Sequence, residues 1–187
     1  MKPAATSKEE ILAAARKIVQ QKGLAGVGMR SVAAEAGVAA GTLYHYFPDK
    51  DALLLAVTAD IWSDIFDLDS LRREGDGFAA ATEELFCHAS WRMQAYPGFP
   101  ALHGFALSSG GGPAKEGAAR MHAFLGKVER HLWQALQKDA HVRSDAFGNG
   151  VDEQGFVAFV LDHLLLLLML GSRDCSVLVA VIERVLY

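Results

Sequence analysis

Apolar residues recur at three- and four-residue intervals from the start of the chain. Ile11, Leu12, Ala15, Ile18 and Val19 make one stripe, the spacing of a helix with a single buried face. Ser7 followed by Glu10 has the spacing of a capping box, and Gly23 stands where a helix needs a C-terminal cap, so the first helix is predicted between them. Lys8, Arg16, Lys17 and Lys22 fall largely off the stripe and read as solvated charges. The pattern resumes at Met29 with Val32, Ala33 and Ala36, and Gly37 is expected to end that helix in a left-handed conformation. Val38, alone in the turn, is expected to plug the angle between two crossing helices. A second short helix follows from about Ala39 to Tyr46. Leu43 and Phe47 share its inward face, which leaves Ala40, Thr42, Tyr44 and His45 on or near the other side. Pro48 stops this helix, Asp49 is placed to cap the next, and Lys50 falls in its first turn.

Beyond Lys50 the period stays helical. Leu53, Leu54, Val57, Ile61, Ile65 and Phe66 define a long helix with Trp62 beside them, ending before Leu71. Residues 76–95 carry Phe78, Leu85, Phe86, Ala89 and Met93, and Tyr96-Pro97-Gly98 breaks that run. A short segment, Phe99–Leu107, leads to the glycine run of residues 108–113, read as a mobile connection. Residues 114–138 give an amphipathic helix through Met121, Phe124, Leu125, Val128, Leu132, Trp133 and Leu136. After a polar loop from Asp139 to Glu153 come two very apolar helices, about Gln154–Leu170 and Cys175–Leu186. Their faces are too apolar for one chain to cover, which predicts a partner surface. Phe156–Leu170 is about fifteen residues with Asp162 and His163 inside it, short of the roughly 20 a membrane span needs, so it reads as a buried helix.

Composition changes this picture in one respect. The 187 residues, 51% of them hydrophobic, suffice for a core, and the net charge of −4 taken alone argues against a nucleic-acid partner. The charge is unevenly distributed. Residues 1–50 hold seven Lys or Arg against four Asp or Glu, a net +3, and the remainder is −7. Such asymmetry points to a nucleic-acid-facing N-terminal end. Cys87 and Cys175 fit no metal or redox spacing and are expected to be free and buried in a reducing cytoplasm. Residues 1–10 hold no apolar signal core. No nucleophile elbow, phosphate loop or HExxH motif marks an enzyme, and no cofactor is expected. Adjacent Cys87 and His88 diverge by about 100° on a helix, so they do not share a metal with His103 or His122.

The chemistry concentrates in Met29–Lys50. A phenol, a hydroxyl and an imidazole on one side of a short helix suit hydrogen bonding to phosphates and base edges, and Gly41 allows close approach of a backbone. The run AGVAAGTLYHYFPDK resembles the TetR-type transcriptional regulators, in which AGV, two variable positions, GTLY, two residues, Phe, two residues and Lys mark the helix-turn-helix. The likeness covers roughly the first third of the chain. Ala39-Ala40 stand where relatives often carry a serine cap and a polar neighbour, and Val27-Gly28 where threonines are common, so one capping bond is expected to be missing.

The resemblance implies an all-α homodimer of about nine helices. Residues 1–50 would be a three-helix DNA-binding domain and 51–187 a ligand-binding and dimerisation domain paired through its last two helices. It implies a cytoplasmic repressor of a near-palindromic double-stranded operator, released by a small hydrophobic or aromatic effector. By the same analogy DNA contacts fall to Arg30, Ala40, Gly41, Thr42, Leu43, Tyr44, His45 and Lys50. Effector contacts fall to Trp62, Phe66, Phe86, His88, Trp91, Phe99, His103, Phe124 and His131. The rival from another class is a helical small-molecule-binding protein or enzyme with a vestigial DNA-binding domain.

Overall fold

The computed structural model describes residues 6–71, 77–99, 112–148 and 150–187, with the backbone alone over 112–121. Their regular structure is helical: α1 (Lys8–Lys22), a 3-10 turn (Leu24–Gly26), α2 (Met29–Glu35), α3 (Ala40–Tyr46), α4 (Lys50–Phe66), α5 (Phe78–Met93), α6 (Gly112–Lys138), α7 (Glu153–Met169) and α8 (Ser176–Leu186). The all-α expectation holds, with eight α-helices among the described residues where about nine were expected. His103 and the glycines before Gly112 lie outside the described residues. The chain divides into two compact units, Met1–Asp64 with Met93–His122, and Ile65–Arg92 with Ala123–Tyr187.

In the first unit α1 begins at the expected capping box. Ser7 Oγ accepts from the Glu10 amide at 3.1 Å, and the Glu10 carboxylate accepts from the Ser7 amide at 2.9 Å. It ends at Gly23, whose φ of +69° is the left-handed value that a Cβ disfavours. Ile11, Ala15, Ile18 and Val19 are buried as the period requires, while Leu12 is half-buried and Ala14 takes the inner position. α1 packs on α2, and α2 on α3. From α4 this unit buries Leu53, Val57, Ile61 and Trp62.

The solvated role expected for Arg16 is overturned. Its Nε lies 3.0 Å from Asp60 Oδ2 and an Nη 3.1 Å from Asp64 Oδ1, so one guanidinium spans two carboxylates a turn apart on α4. Lys8 is likewise no bare solvated charge, since its Nζ sits 5.5 Å above the Phe47 ring.

The second unit is held at one point by a buried carboxylate. Asp139, whose side chain has no exposed surface, accepts from the Phe78 amide at the start of α5 (2.8 Å), from the Tyr187 hydroxyl after α8 (2.5 Å) and from the His141 amide (3.0 Å). It caps α5 from a loop 61 residues away in sequence. α7 starts on Asp152, whose Oδ1 accepts from the Gly155 amide at 2.6 Å. It stops at Gly171 in a Schellman turn, with Ser172 N–H on Leu167 C=O and Gly171 N–H on Leu168 C=O. α7 and α8 pack on each other and bury Val160, Leu164, Leu168, Leu178 and Ile182. Phe159, Leu166 and Leu170 on α7, with Val177 and Val181 on α8, remain exposed. Among the described residues no helix is long and apolar enough to cross a membrane.

Candidate nucleic-acid interface

The corner between α2 and α3 is built as its glycine demands. Gly37 has φ +67°, its N–H bonds Ala34 C=O at 3.3 Å, and Val38 N–H reaches Ala33 C=O at 3.0 Å, the paired bonds of a Schellman motif. No neighbouring atom lies within 4 Å of where a Cβ on Gly37 would be, so backbone conformation alone selects glycine there. Val38 is half-buried in the turn.

The two helices start differently. At α2, where threonines were absent from the sequence, Ser31 caps in reverse. Its Oγ accepts from the Gly28 amide at 3.0 Å and donates to a backbone carbonyl, Gly26 O lying at 2.9 Å and Gly28 O at 3.1 Å. At α3 the N-cap Ala39 is extended and makes no side-chain cap bond, so the missing capping bond is genuine. α3 ends at the extended Phe47, and Asp49 Oδ1 accepts from the Ala52 amide at 2.8 Å to open α4.

α3 is held from behind at its C-terminal end. The Tyr46 hydroxyl donates to Thr6 C=O at 2.5 Å, and Phe47 is buried beneath Lys8. Leu43 is fully buried beside this anchor. The placing of Leu43 among the contact side chains is therefore corrected: it belongs to the core, with no side-chain surface to offer. The opposite side of α3 is open. Tyr44 is 55% exposed, Ala40, Gly41 and His45 are exposed, and Thr42 is half-buried. Arg30 on α2 and Lys50 at the start of α4 are exposed as well. A Cβ on Gly41 would meet nothing within 4 Å. The fold itself thus places no demand for glycine at 41.

The candidate effector residues separate by unit. In the first, Trp62 and Phe99 are buried and meet edge to face at 5.4 Å. In the second, Phe66 and Phe124 are buried with ring centroids 5.6 Å apart, and Phe86 is buried. His88 and His131 are half-buried, and burial pushes the His131 imidazole below its usual pKa against the opposing pull of Glu84. Trp91 is 67% exposed, which removes it from the buried aromatic set. Cys87 is exposed rather than buried, whereas Cys175 is buried and its thiol is pushed up to about 11, chiefly by desolvation. Among the described residues no group of three or more His, Cys, Asp and Glu is arranged to hold a metal ion.

Sequence reasoning missed Ser31, Tyr46 and Arg16. The first signal was local, a serine three residues after the glycine it caps. The second was a tyrosine adjoining the contact face, and for Arg16 the only trace was a pair of aspartates four apart on the next long helix.

A short helix laid across another on a glycine corner, with polar and aromatic side chains outward, defines a helix-turn-helix protein. Residues 11–57 match the family model for bacterial regulatory proteins of the tetR family. This match lies in the N-terminal helix-turn-helix segment and covers about a quarter of the chain. Over 64 residues the chain is 38% identical to the HTH-type transcriptional regulator BetI of Paraburkholderia phytofirmans, covering 34% of this chain and 33% of that protein. The matched segment thus spans about a third of that relative's length. In fold the likeness extends further. A TetR-family putative transcriptional regulator from Vibrio parahaemolyticus superposes with a TM-score of 0.58 at 22% identity, covering 96% of both chains. A transcriptional regulator from Rhodococcus sp. Rha1 gives 0.60 at 21% identity over 96% of this chain and 94% of that one.

Proposed function

We propose that the chain is a sequence-specific DNA-binding transcriptional regulator, acting as a cytoplasmic homodimeric repressor. The observation that carries this reading is the outward face of α3. Thr42, Tyr44 and His45 flank a glycine that the fold does not need, and Arg30 and Lys50 stand beside them. The hydroxyl, phenol and imidazole would read base edges and phosphates in the major groove, the two cations would pair with phosphates, and Gly41 would let the duplex approach. Residues 1–50 serve as the reading head and 51–187 as the part that binds effector and partner. The exposed stripes Phe159, Leu166 and Leu170 on α7 and Val177 and Val181 on α8 support pairing with a second copy about a twofold axis.

The effector is a small hydrophobic or aromatic molecule, a choice supported by Phe66, Phe86 and Phe124 with the half-buried His131 as a polar handle. Release requires the effector to bind a non-reading state better than the DNA-competent one, by the free energy that DNA affinity then loses. A thermal-shift screen in which aromatic acids stabilise the protein supports this choice; stabilisation only by sugars or metal ions contradicts it. The DNA reading is tested by gel shift on the region upstream of its own gene. Native protein is expected to bind with a steep salt dependence, and Tyr44→Ala to bind about 5- to 100-fold more weakly. Unchanged affinity of Tyr44→Ala at physiological salt would contradict the assignment.

A further inference from the structure

α1 is clamped at two points. Near its start Thr6 C=O takes the Tyr46 hydroxyl and Lys8 covers Phe47, which ties it to the C-terminal end of the DNA-reading helix α3. Two turns on, about 12 Å along the axis, Arg16 spans Asp60 and Asp64 of α4. Asp64 is shared. Its other oxygen accepts from the hydroxyl of Tyr96 at 2.7 Å, and Tyr96 is 1% exposed. The Tyr96 ring lies against Phe99, which in turn meets Trp62 of α4. Two carboxylates face one guanidinium here, and the tyrosine hydroxyl adds a second donor to Asp64 beside Arg16. Burial and the neighbouring Asp64 together keep that phenol protonated far above its ordinary range.

The position of Tyr96 in the chain matters. The polypeptide returns to the first unit at Met93, and Tyr96 is the third residue past that point. Tyr96 thus bears on Asp64, Asp64 on α1 through Arg16, and α1 on α3 through Thr6 and Lys8. None of these residues has a place in the DNA-contact set. We infer that Tyr96, Asp64 and Arg16 are positioning residues that set the pose of α3 through α1. This rests on the DNA-binding reading above and adds to it the polar joint through which the reading helix is held.

The test uses the full chain and four variants: Tyr96→Phe, which keeps the ring and removes the hydroxyl, Arg16→Gln, the double variant, and Arg16→Lys. Circular-dichroism melts establish that each is folded. Hydrogen exchange of the free proteins then reads α3, and fluorescence anisotropy reads binding to labelled DNA from upstream of its own gene. Expected are α3 amides that exchange faster and DNA affinity about five- to tenfold weaker in each of the first two. The salt slope is unchanged because no phosphate contact is lost. The double variant is no weaker than the worse single one, and Arg16→Lys, which keeps the charge but cannot span both carboxylates, falls between. Folded variants with native α3 exchange and native affinity would overturn the inference, as would losses that multiply in the double variant. If native protein binds no promoter fragment while the exchange effect persists, the regulator reading fails and the joint stands.

Discussion

Removing the Asp139 carboxylate gives the sharpest stability prediction, because one buried side chain closes three places at once. In Asp139→Ala the Phe78 amide loses its cap, at a cost of about 1 kcal/mol. The Tyr187 hydroxyl loses its acceptor within a packed corner, for a further ~1–3 kcal/mol. The corner cannot readily close over the gap. A Cβ on Gly77 (φ +109°) would come within 2.7 Å of Asp139 Oδ2 and 2.9 Å of the Tyr187 hydroxyl, so these groups are already in tight contact. The total, about 2–4 kcal/mol, corresponds to a fall in Tm of roughly 5–15 °C for a chain of this length, read by calorimetry at fixed protein concentration.

Acid supplies the check on mechanism. Burial alone would raise the Asp139 carboxyl, but the hydrogen bonds from Tyr187, Phe78 and His141 outweigh it and hold the group below its ordinary 3.8. A carboxyl depressed in the folded state contributes stability above its unfolded value and loses it as pH falls through the folded one. The gap between native protein and Asp139→Asn is therefore widest near neutrality, begins to narrow below about pH 4 and is lost further into acid. A gap constant from pH 7 to pH 2, or a Tm for Asp139→Ala within 1–2 °C of native, roughly the effect of half a kcal/mol, would refute the reasoning.

Three substitutions in the reading head test its local chemistry. Ala39→Ser supplies the cap that α3 lacks and is expected to stabilise by about 0.5–1 kcal/mol in urea titration, with no gain if Ala39 is held otherwise than extended. Gly37→Ala meets no neighbour but must adopt the left-handed conformation, so a loss of about 1–2 kcal/mol is expected from the same titration; a neutral result would deny that the turn needs φ +67°. Gly41→Ala separates stability from binding: Tm is expected to hold or rise slightly, since helix propensity improves by roughly 0.5–1 kcal/mol, while DNA affinity falls. Native affinity in Gly41→Ala would mean that the duplex does not approach there.

What the sequence discloses is what local chemistry determines. Ser7 with Glu10, Gly23, Gly37 and Asp49 each act within about five residues of themselves, and the structure places each as its type requires. Leu43 and Phe47 follow the same rule, since a four-residue spacing fixes a common face, and both are buried; only the family analogy puts Leu43 among the contacts. The illegible parts are long-range. Arg16 meets Asp64 across 48 residues and Asp139 meets Phe78 across 61, and no helical period encodes which distant helix arrives beside a given charge. Trp91 shows a related limit, because α5 has apolar residues around much of its circumference and the period does not select which of them stays in water.

The central claim is that the outward face of α3 reads duplex DNA. Hydroxyl-radical footprinting on the region upstream of its own gene measures this most directly. Native protein is predicted to protect two patches separated by about 34–36 Å or a multiple of it, and Tyr44→Ala to lose both at the same protein concentration. Uniform or absent protection by native protein, or patches that persist unchanged in Tyr44→Ala, would contradict it.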